Sequence, residues 1–340
     1  MKRILLITSI LFLGISTIKS QNTCADQLKV AQRRFDDGLL DDIPQLLANC
    51  MKDGFTKEEK TNAYKLLIQT YLFSEQTEKA DGVMLKFLKE FPSYSIASND
   101  PKEFINLYST YRTKPIFKLE IKGGFNFCMP KFIEPFGVGN TSKSHPTYKS
   151  KLGYNVEVDY INKLYKDFEY SIGASLTLSN FDYSNKPFEY STVTGTFKNN
   201  YLGLPIAVRY NYKLKTVNLF AKAGLEFAYL FQSSVNLTRT DINVGRSEPY
   251  TGVENLLLSH KKFDVRPLLA IGTALKVRNA QFLITAGFKL STITQLNRQK
   301  TYLNPLLQEK YFFAEDELLL NQSFISFSYI HPIYKPKKIR

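Results

Sequence analysis

Between Tyr201 and Gln232 the side chains sort into two faces, and the sorting reverses across a short break; this stretch restricts the fold more than any other. Leu202, Leu204, Ile206, Val208, Tyr210 and Tyr212 share one face, and Gly203, Pro205, Ala207, Arg209 and Asn211 share the other. A period of two residues belongs to an extended strand. After Lys213–Thr216 the alternation resumes. Val217, Leu219, Ala221, Ala223, Leu225, Phe227, Tyr229 and Phe231 now oppose Asn218, Lys222, Gly224, Glu226 and Gln232, a set that also takes in Phe220, Ala228 and Leu230. A soluble hairpin can show such alternation too. A membrane barrel turns the apolar face outward to lipid and encloses the small and charged one, over about ten residues per strand.

If strands carry the membrane span, helices should not. The first twenty residues read as a secretory leader: Lys2–Arg3, a mainly apolar run Ile4–Ile15, and the small Ser20 before Gln21. That run is too short for a comfortable transmembrane helix, and no other stretch approaches about twenty continuous apolar residues. Gln21–Asn22–Thr23 before Cys24 lacks the residues of a lipid-attachment signal. Removal of the leader leaves 320 residues (340 minus 20), room for two domains. The net charge is +14, from 45 Lys+Arg and 31 Asp+Glu. An exported chain does not meet nucleic acid, so the charge is expected on loops and on the basic tail 335–340, with outer-membrane lipid and the phosphates of lipopolysaccharide as anionic neighbours. The 21 Tyr and 26 Phe suit interfacial girdles, although Trp is absent.

From Thr23 to Tyr111 the period lengthens to about 3.6. Leu28, Ala31 and Phe35 mark a helix ending near Gly38; Ile43, Leu46, Leu47 and Met51 mark a second ending near Gly54. Thr56 with Glu59 forms a capping box for a third, carrying Ala63, Leu66, Leu67 and Tyr71. A fourth, with Ala80, Val83, Met84, Phe87 and Phe91, stops at Pro92, and a fifth starts at Asp100–Pro101 and carries Phe104, Leu107, Tyr108 and Tyr111. Phe35 and Tyr71 introduce similar helix pairs about 36 residues apart, near the 34-residue period of tetratricopeptide repeats. The Tyr71, Ala80, Phe87, Pro92 series resembles that family without its early Trp and Gly, and a small helical bundle is the alternative. Cys24 and Cys50 lie at the outer ends of successive antiparallel helices and could pair in an oxidising compartment; Cys128, at a strand end, is expected free.

Alternation begins after Thr113–Pro115 and recurs eight times. The strands centre on Ile121, Val156, Ile172, Ile206, Leu225, Ile271, Ile284 and Phe327. The connections after the second, fourth and sixth are short. Those after the first, third, fifth and seventh, about 128–151, 180–198, 233–262 and 293–322, are long. Outer-membrane barrels alternate in this way, with short turns in the periplasm and long loops outside. An even strand count leaves both barrel ends on the short-turn side. The expected organisation is α + β: a leader (1–20), a periplasmic all-α tetratricopeptide-like domain (21–112), an eight-stranded antiparallel transmembrane barrel (115–334) and a basic periplasmic tail.

Tyr201-Leu202-Gly203-Leu204-Pro205-Ile206 and Phe220-Ala221-Lys222-Ala223-Gly224-Leu225-Glu226-Phe227-Ala228-Tyr229 resemble the PorT-like outer-membrane β-barrel family of Bacteroidota, and Ser20–Gln21 is similar to its leader junctions. The resemblance implies the barrel fold and cell outer-membrane residence. By resemblance, its candidate machines are secretion and barrel-assembly complexes of that phylum.

Eight strands enclose a lumen that side chains fill. The inward set includes Arg209, Lys222, Glu226, Asp264, Arg266, Glu157, Asp159 and Glu169, with Lys118, Lys122, Glu120, Lys276 and Lys289. Long charges of both signs predict a paired network that plugs the lumen, since unpaired ones would be costly there. Of the three histidines, His145 and His260 fall in expected external loops and His331 near the periplasmic end of the last strand. Ser144 and Ser259 adjoin the first two, but no acid is placed to complete a triad. No metal spacing or cofactor fingerprint appears. The sequence thus predicts a non-enzymatic barrel without cofactors, accessory or scaffold to an outer-membrane complex, whose helices and long loops touch periplasmic or outer-membrane proteins. The alternatives are a stand-alone surface-loop binder and a narrow porin.

Overall fold

The computed structural model describes residues 18–135, 144–214, 217–242, 248–277 and 280–339, leaving most of the expected leader and the Lys276 side chain outside the described residues. The chain divides into two units. One ends at Pro115 and takes up the chain again from Tyr334; the other is Ile116–Ile333.

The first unit is built from α1 (Ile18–Asp36), α2 (Ile43–Lys52), α3 (Lys57–Phe73), α4 (Thr77–Glu90) and α5 (Lys102–Ser109). Gly38 ends the first helix with φ +78°, a conformation that favours glycine. Thr56 and Glu59 form the reciprocal capping box at α3. One core gathers Ala31, Ile43, Leu47, Ala63, Leu66 and Leu67. A second is aromatic: Phe87 has the rings of Tyr64, Tyr94, Phe91 and Phe104 within 5.1–5.6 Å, mostly edge-on. At its margin Asp100 accepts from Lys65 (2.6 Å), the Tyr94 hydroxyl (2.7 Å) and the Ala97 N–H (2.8 Å). Cys24 and Cys50 form a disulfide with their Cα atoms 5.6 Å apart.

The basic tail, read from sequence as a segment of its own, belongs to this unit. The Arg112 N–H donates to the Lys337 carbonyl (2.9 Å) and the Ile339 N–H to that of Thr110 (2.7 Å). Tyr111 and Lys338 form a β-bridge, and Lys338 reaches Asp81 of α4. Its charges had suggested solvation; the backbone pairing is invisible to composition.

In the second unit, β1 (Phe117–Glu134), β2 (Thr147–Tyr165), β3 (Phe168–Phe188), β4 (Ser191–Lys213), β5 (Asn218–Asp241), β7 (Phe263–Val277), β8 (Ala280–Lys289) and β9 (Glu317–Ile333) pair antiparallel in that order. Pairing of β9 with β1, from Phe117↔Ile333 to Glu134↔Glu317, closes the ring. A short β6 (Tyr250–Asn255) pairs with β5 beyond β7, along the same edge. From Leu202 to Tyr212, ten steps of about 3.3 Å at a tilt of about 40° span about 25 Å, the height of a barrel's apolar band. Ring pairs mark both rims: Phe117–Tyr160, Phe168–Tyr210 and Phe282–Tyr329 at the short-turn end, and Phe125–Tyr154 and Tyr229–Phe263 at the other.

Part of the expected long loops is barrel. Residues 180–198, read as a loop, continue β3 and β4 to a two-residue turn, Glu189–Tyr190, and 233–241 prolong β5. The reason is an inversion of polarity. Within the band, β3 points Ile172 and Leu176 outward and Ser171, Ser175 and Thr177 inward; beyond it, Asp182 and Ser184 point outward and Phe181 and Tyr183 inward. The same strand changes from a lipid-facing to a water-facing surface, so its core moves to the inside. On β5 the extra Phe231 forms a bulge opposite Asn200/Tyr201, which turns Val235 and Leu237 inward.

Candidate functional site

The lumen is stacked in layers. Nearest the short-turn rim, Glu169 receives Lys118 (2.5 Å) and the Asn211 amide (3.0 Å). Above it, Lys122 on β1 bonds Glu157 (2.6 Å) and Asp159 (2.5 Å) on β2, and Lys222 on β5 reaches the same pair at 3.5 and 3.0 Å. Arg209 on β4 holds Glu120 at 2.6 Å, with the Ser328 hydroxyl on its other oxygen at 2.7 Å. Higher still, Lys289 closes on Glu226, and Arg266 bonds Asp264 (2.8 Å) while its guanidinium lies over Tyr201 at 4.0 Å.

Lys276 apart, whose side chain lies outside the described residues, each residue the sequence assigned to the interior network therefore has an opposite charge beside it. The strand pleat puts these side chains inside; the β1–β2 register sets Lys122 beside Glu157 but also Glu120 beside Asp159, and the β4–β5 register sets Arg209 beside Lys222, so these like-charged neighbours are neutralised across the lumen, Arg209 on Glu120 and Lys122 and Lys222 on Asp159. The described network holds six cations (Lys118, Lys122, Arg209, Lys222, Arg266, Lys289) and six carboxylates (Glu120, Glu157, Asp159, Glu169, Glu226, Asp264), so it presents no net charge to a permeating ion. The void among Lys122, Glu157, Arg209 and Lys222 is about 10 Å³. That is near the minimum for one water molecule.

Beyond the band the interior is apolar. Phe181, Phe197, Val193, Val235 and Leu237 from the strands meet Leu307, Tyr311 and Phe313 from the segment between β8 and β9, a 3₁₀ turn (Arg298–Leu303) followed by the short α6 (Leu306–Glu309). This segment folds into the outer end of the ring and caps it. Phe181 stacks on Phe197 at 4.4 Å, and Phe313 meets Tyr183 edge-on at 5.1 Å.

The cap is fastened by a group that sequence spacing did not disclose. His260 Nε2 lies 2.7 Å from Glu315, and Nδ1 lies 2.8 Å from the Ser233 hydroxyl and 2.6 Å from the Gln295 amide; Ser233 in turn donates to Asn199 at 2.6 Å. The sequence reading placed His260 in a loop beside Ser259 with no acid near it. The acid is Glu315, 55 residues away, and no local motif could have shown it. Ser233, His260 and Glu315 are each at most 4% exposed. A nucleophilic serine has to reach a substrate carbonyl, whereas this hydroxyl is enclosed and already donates to Asn199. The group acts as a clamp joining β4, β5, the connection between β6 and β7, and both ends of the cap segment. His145 is exposed, and His331 faces outward beside the Tyr329 hydroxyl at 3.2 Å.

A closed ring of eight antiparallel strands, apolar outside over a membrane's height and charge-packed inside, defines a small outer-membrane β-barrel. The chain belongs to the family described as outer membrane protein beta-barrel domain, which matches residues 116–297, and it resides in the outer membrane. No curated protein sequence matches it significantly. Solved structures similar to it include OprG from Pseudomonas aeruginosa, 10% identical over 64% of this chain and 98% of that one, TM-score 0.34. Others are Neisserial surface protein A, 8% identical over 64% and 97%, TM-score 0.31, and Ail of Yersinia pestis in complex with the heparin analogue sucrose octasulfate, 12% identical over 63% and 98%, TM-score 0.29. The assignment rests on the family match and the closed ring, not on these likenesses.

Proposed function

We propose that this protein is a non-enzymatic, cofactor-free anchor: an accessory or scaffold subunit of an outer-membrane complex, whose helical unit stands in the periplasm and holds a protein partner. The observation that carries the proposal is the lumen, where six cations and six carboxylates neutralise one another and the void left in the layer of Lys122, Glu157, Arg209 and Lys222 is about 10 Å³. A barrel filled in this way leaves function to its two ends. The chain enters β1 and leaves β9 at the short-turn rim, and short turns face the periplasm in bacterial barrels. The tetratricopeptide-like helix pairs supply the kind of groove that takes a helix or extended peptide. The PorT-like resemblance makes secretion and barrel-assembly complexes of Bacteroidota the first machines to test. Nucleic acid is not a partner on this reading; outer-membrane lipid and lipopolysaccharide are.

The test is affinity capture from detergent-solubilised membranes with the full chain and with a chain lacking 24–111. The reading predicts loss of the captured subunits with the shortened chain, while the heat-modifiable gel shift of the barrel persists. Retention of every partner sinks it. A reproducible open conductance of the full chain in a planar bilayer would favour the porin alternative.

A stand-alone surface binder is the second reading. It is favoured by apolar side chains exposed beyond the band: Phe188, which stacks on Tyr190 at 5.4 Å at the β3–β4 turn, and, elsewhere on that part of the surface, Val253, Leu258 and Leu303.

A further inference from the structure

The outward surface of the barrel changes character abruptly where the apolar band ends, and on one side it changes into a basic, hydroxyl-rich groove. Lys151 on β2 pairs in register with Asn180 on β3, and Asn180 with Lys198 on β4; the next row outward is Lys149, Asp182, Thr196 and Asn236. With strands about 4.8 Å apart, the Lys151 and Lys198 backbones lie about 10 Å from one another. Below these rows the outward residues are Tyr154, Leu176, Leu202 and Phe227, all exposed and uncharged. The groove lined by Lys149, Lys151, Asp182, Thr194, Thr196 and Asn236 encloses about 410 Å³. Its single carboxylate is already engaged: Asp182 accepts from Thr196 (2.6 Å) and from Lys151 (3.0 Å). Lys149 and Lys151 in the groove and Lys198 beside it, one row nearer the band, stand against one acid and leave two positive charges facing out.

We infer that this face of β2–β5 binds the phosphorylated sugar headgroup of an outer-leaflet glycolipid, with Lys149, Lys151 and Lys198 on its phosphates and the threonine and asparagine side chains on its sugar hydroxyls. Position selects a lipid over a soluble anion. The lysines stand one to two residue pairs above the last apolar row, where the headgroups of a leaflet that fits the band must lie. A lysine ammonium is a point charge suited to phosphate, and the neighbouring hydroxyls and amides match a polyol better than a bare phosphate. The inference rests on the orientation given above, with the long-connection rim outside the cell.

Native mass spectrometry of the full chain in detergent tests it. The probes are diphosphoryl lipid A, its monophosphoryl form, phosphatidylethanolamine, and diphosphoryl lipid A with excess inorganic phosphate. The chain should retain the diphosphoryl form about tenfold or more over the monophosphoryl form, and K149Q/K151Q/K198Q should lose most of that preference with phosphatidylethanolamine unaffected. These side chains point away from the barrel core, so the variant keeps the heat-modifiable gel shift. Equal retention of both lipid A forms, unchanged binding by the triple variant, or full displacement by inorganic phosphate overturns the inference. Orientation is read separately by labelling K186C on intact cells with an impermeant maleimide; Cys128 is fully buried and Cys24 and Cys50 are bonded, so the engineered thiol reports alone. No label would refute the orientation and the inference with it, whereas label without lipid preference refutes the inference only.

Discussion

Replacing Lys122 with Met tests whether the lumen is a neutral, mutually satisfied network. Lys122 holds Glu157 and Asp159 at 2.6 and 2.5 Å, and its side chain is 6% exposed. Without it the two carboxylates share Lys222, which lies at 3.5 and 3.0 Å, and one negative charge is left uncompensated in a buried layer. Removing one partner of a buried ion pair costs about 3–5 kcal/mol, because the abandoned charge keeps its desolvation penalty without its attraction. Asp159→Asn in the same chain removes the surplus charge and leaves Lys222 with Glu157 and Arg209 with Glu120. The double variant should therefore recover at least about 2 kcal/mol of the loss, an interaction of the size seen for residues within one network. Urea unfolding in lipid vesicles, followed by the heat-modifiable gel shift, measures both quantities. A double variant no more stable than K122M would refute the argument, since a wet or weakly coupled lumen would make the two losses add.

Further outcomes follow from other parts of the molecule. Phe313→Ala empties the centre of the outer chamber, where the ring is 1% exposed, and should cost the cap about 3–5 kcal/mol; protease cutting between 290 and 316 should rise while the barrel stays folded. Serine at both Cys24 and Cys50 should destabilise the helical unit by about 3.5 kcal/mol, the loop-closure value for a separation of 26 residues, read by circular dichroism melting. Burial alone would raise the Asp100 carboxyl, but hydrogen bonds from Lys65, Tyr94 and the Ala97 N–H outweigh it and hold its pKa below the ordinary value. A carboxylate lowered on folding stabilises fully above pH about 4 and stops doing so as pH falls through its folded pKa; D100N should be less stable at neutral pH, and its deficit should shrink in acid. Truncation at Ile333 should loosen the helical unit, seen as faster amide exchange in α4 and at 110–112, with the barrel's exchange unchanged.

How much was legible in the sequence depends on which solvent each surface faces. Inside the membrane band one face must be apolar and the other enclosed, so the alternation around Ile206 and Leu225 gave the strands, the closure and the inward charges directly. The helices were equally plain, because Gly38, the Thr56–Glu59 box and Pro92 mark their ends chemically. Beyond the band the pattern of β3 and β4 keeps its period but exchanges its faces: Asp182 and Thr196 follow Leu176 and Leu202 on the outside. A reader who expects apolar residues outward sees a polar loop there. The single inserted Phe231 shifts the phase of β5 as well. His260, Glu315 and Ser233 meet through folding of the cap over distances that spacing does not encode. The tail was missed for a different reason: its role is carried by backbone N–H and C=O groups, which lysine-rich composition hides.

That tail has a consequence in time. Residues 335–339 are made only after β9, yet they supply the backbone that pairs with 110–112 and the lysine that reaches Asp81. The helical unit is started before β1 and cannot be finished until β9 has been made. Its matured form is thus a report that the whole barrel sequence has been delivered, and a partner that recognises only that form would never engage a chain whose last barrel strand is still missing.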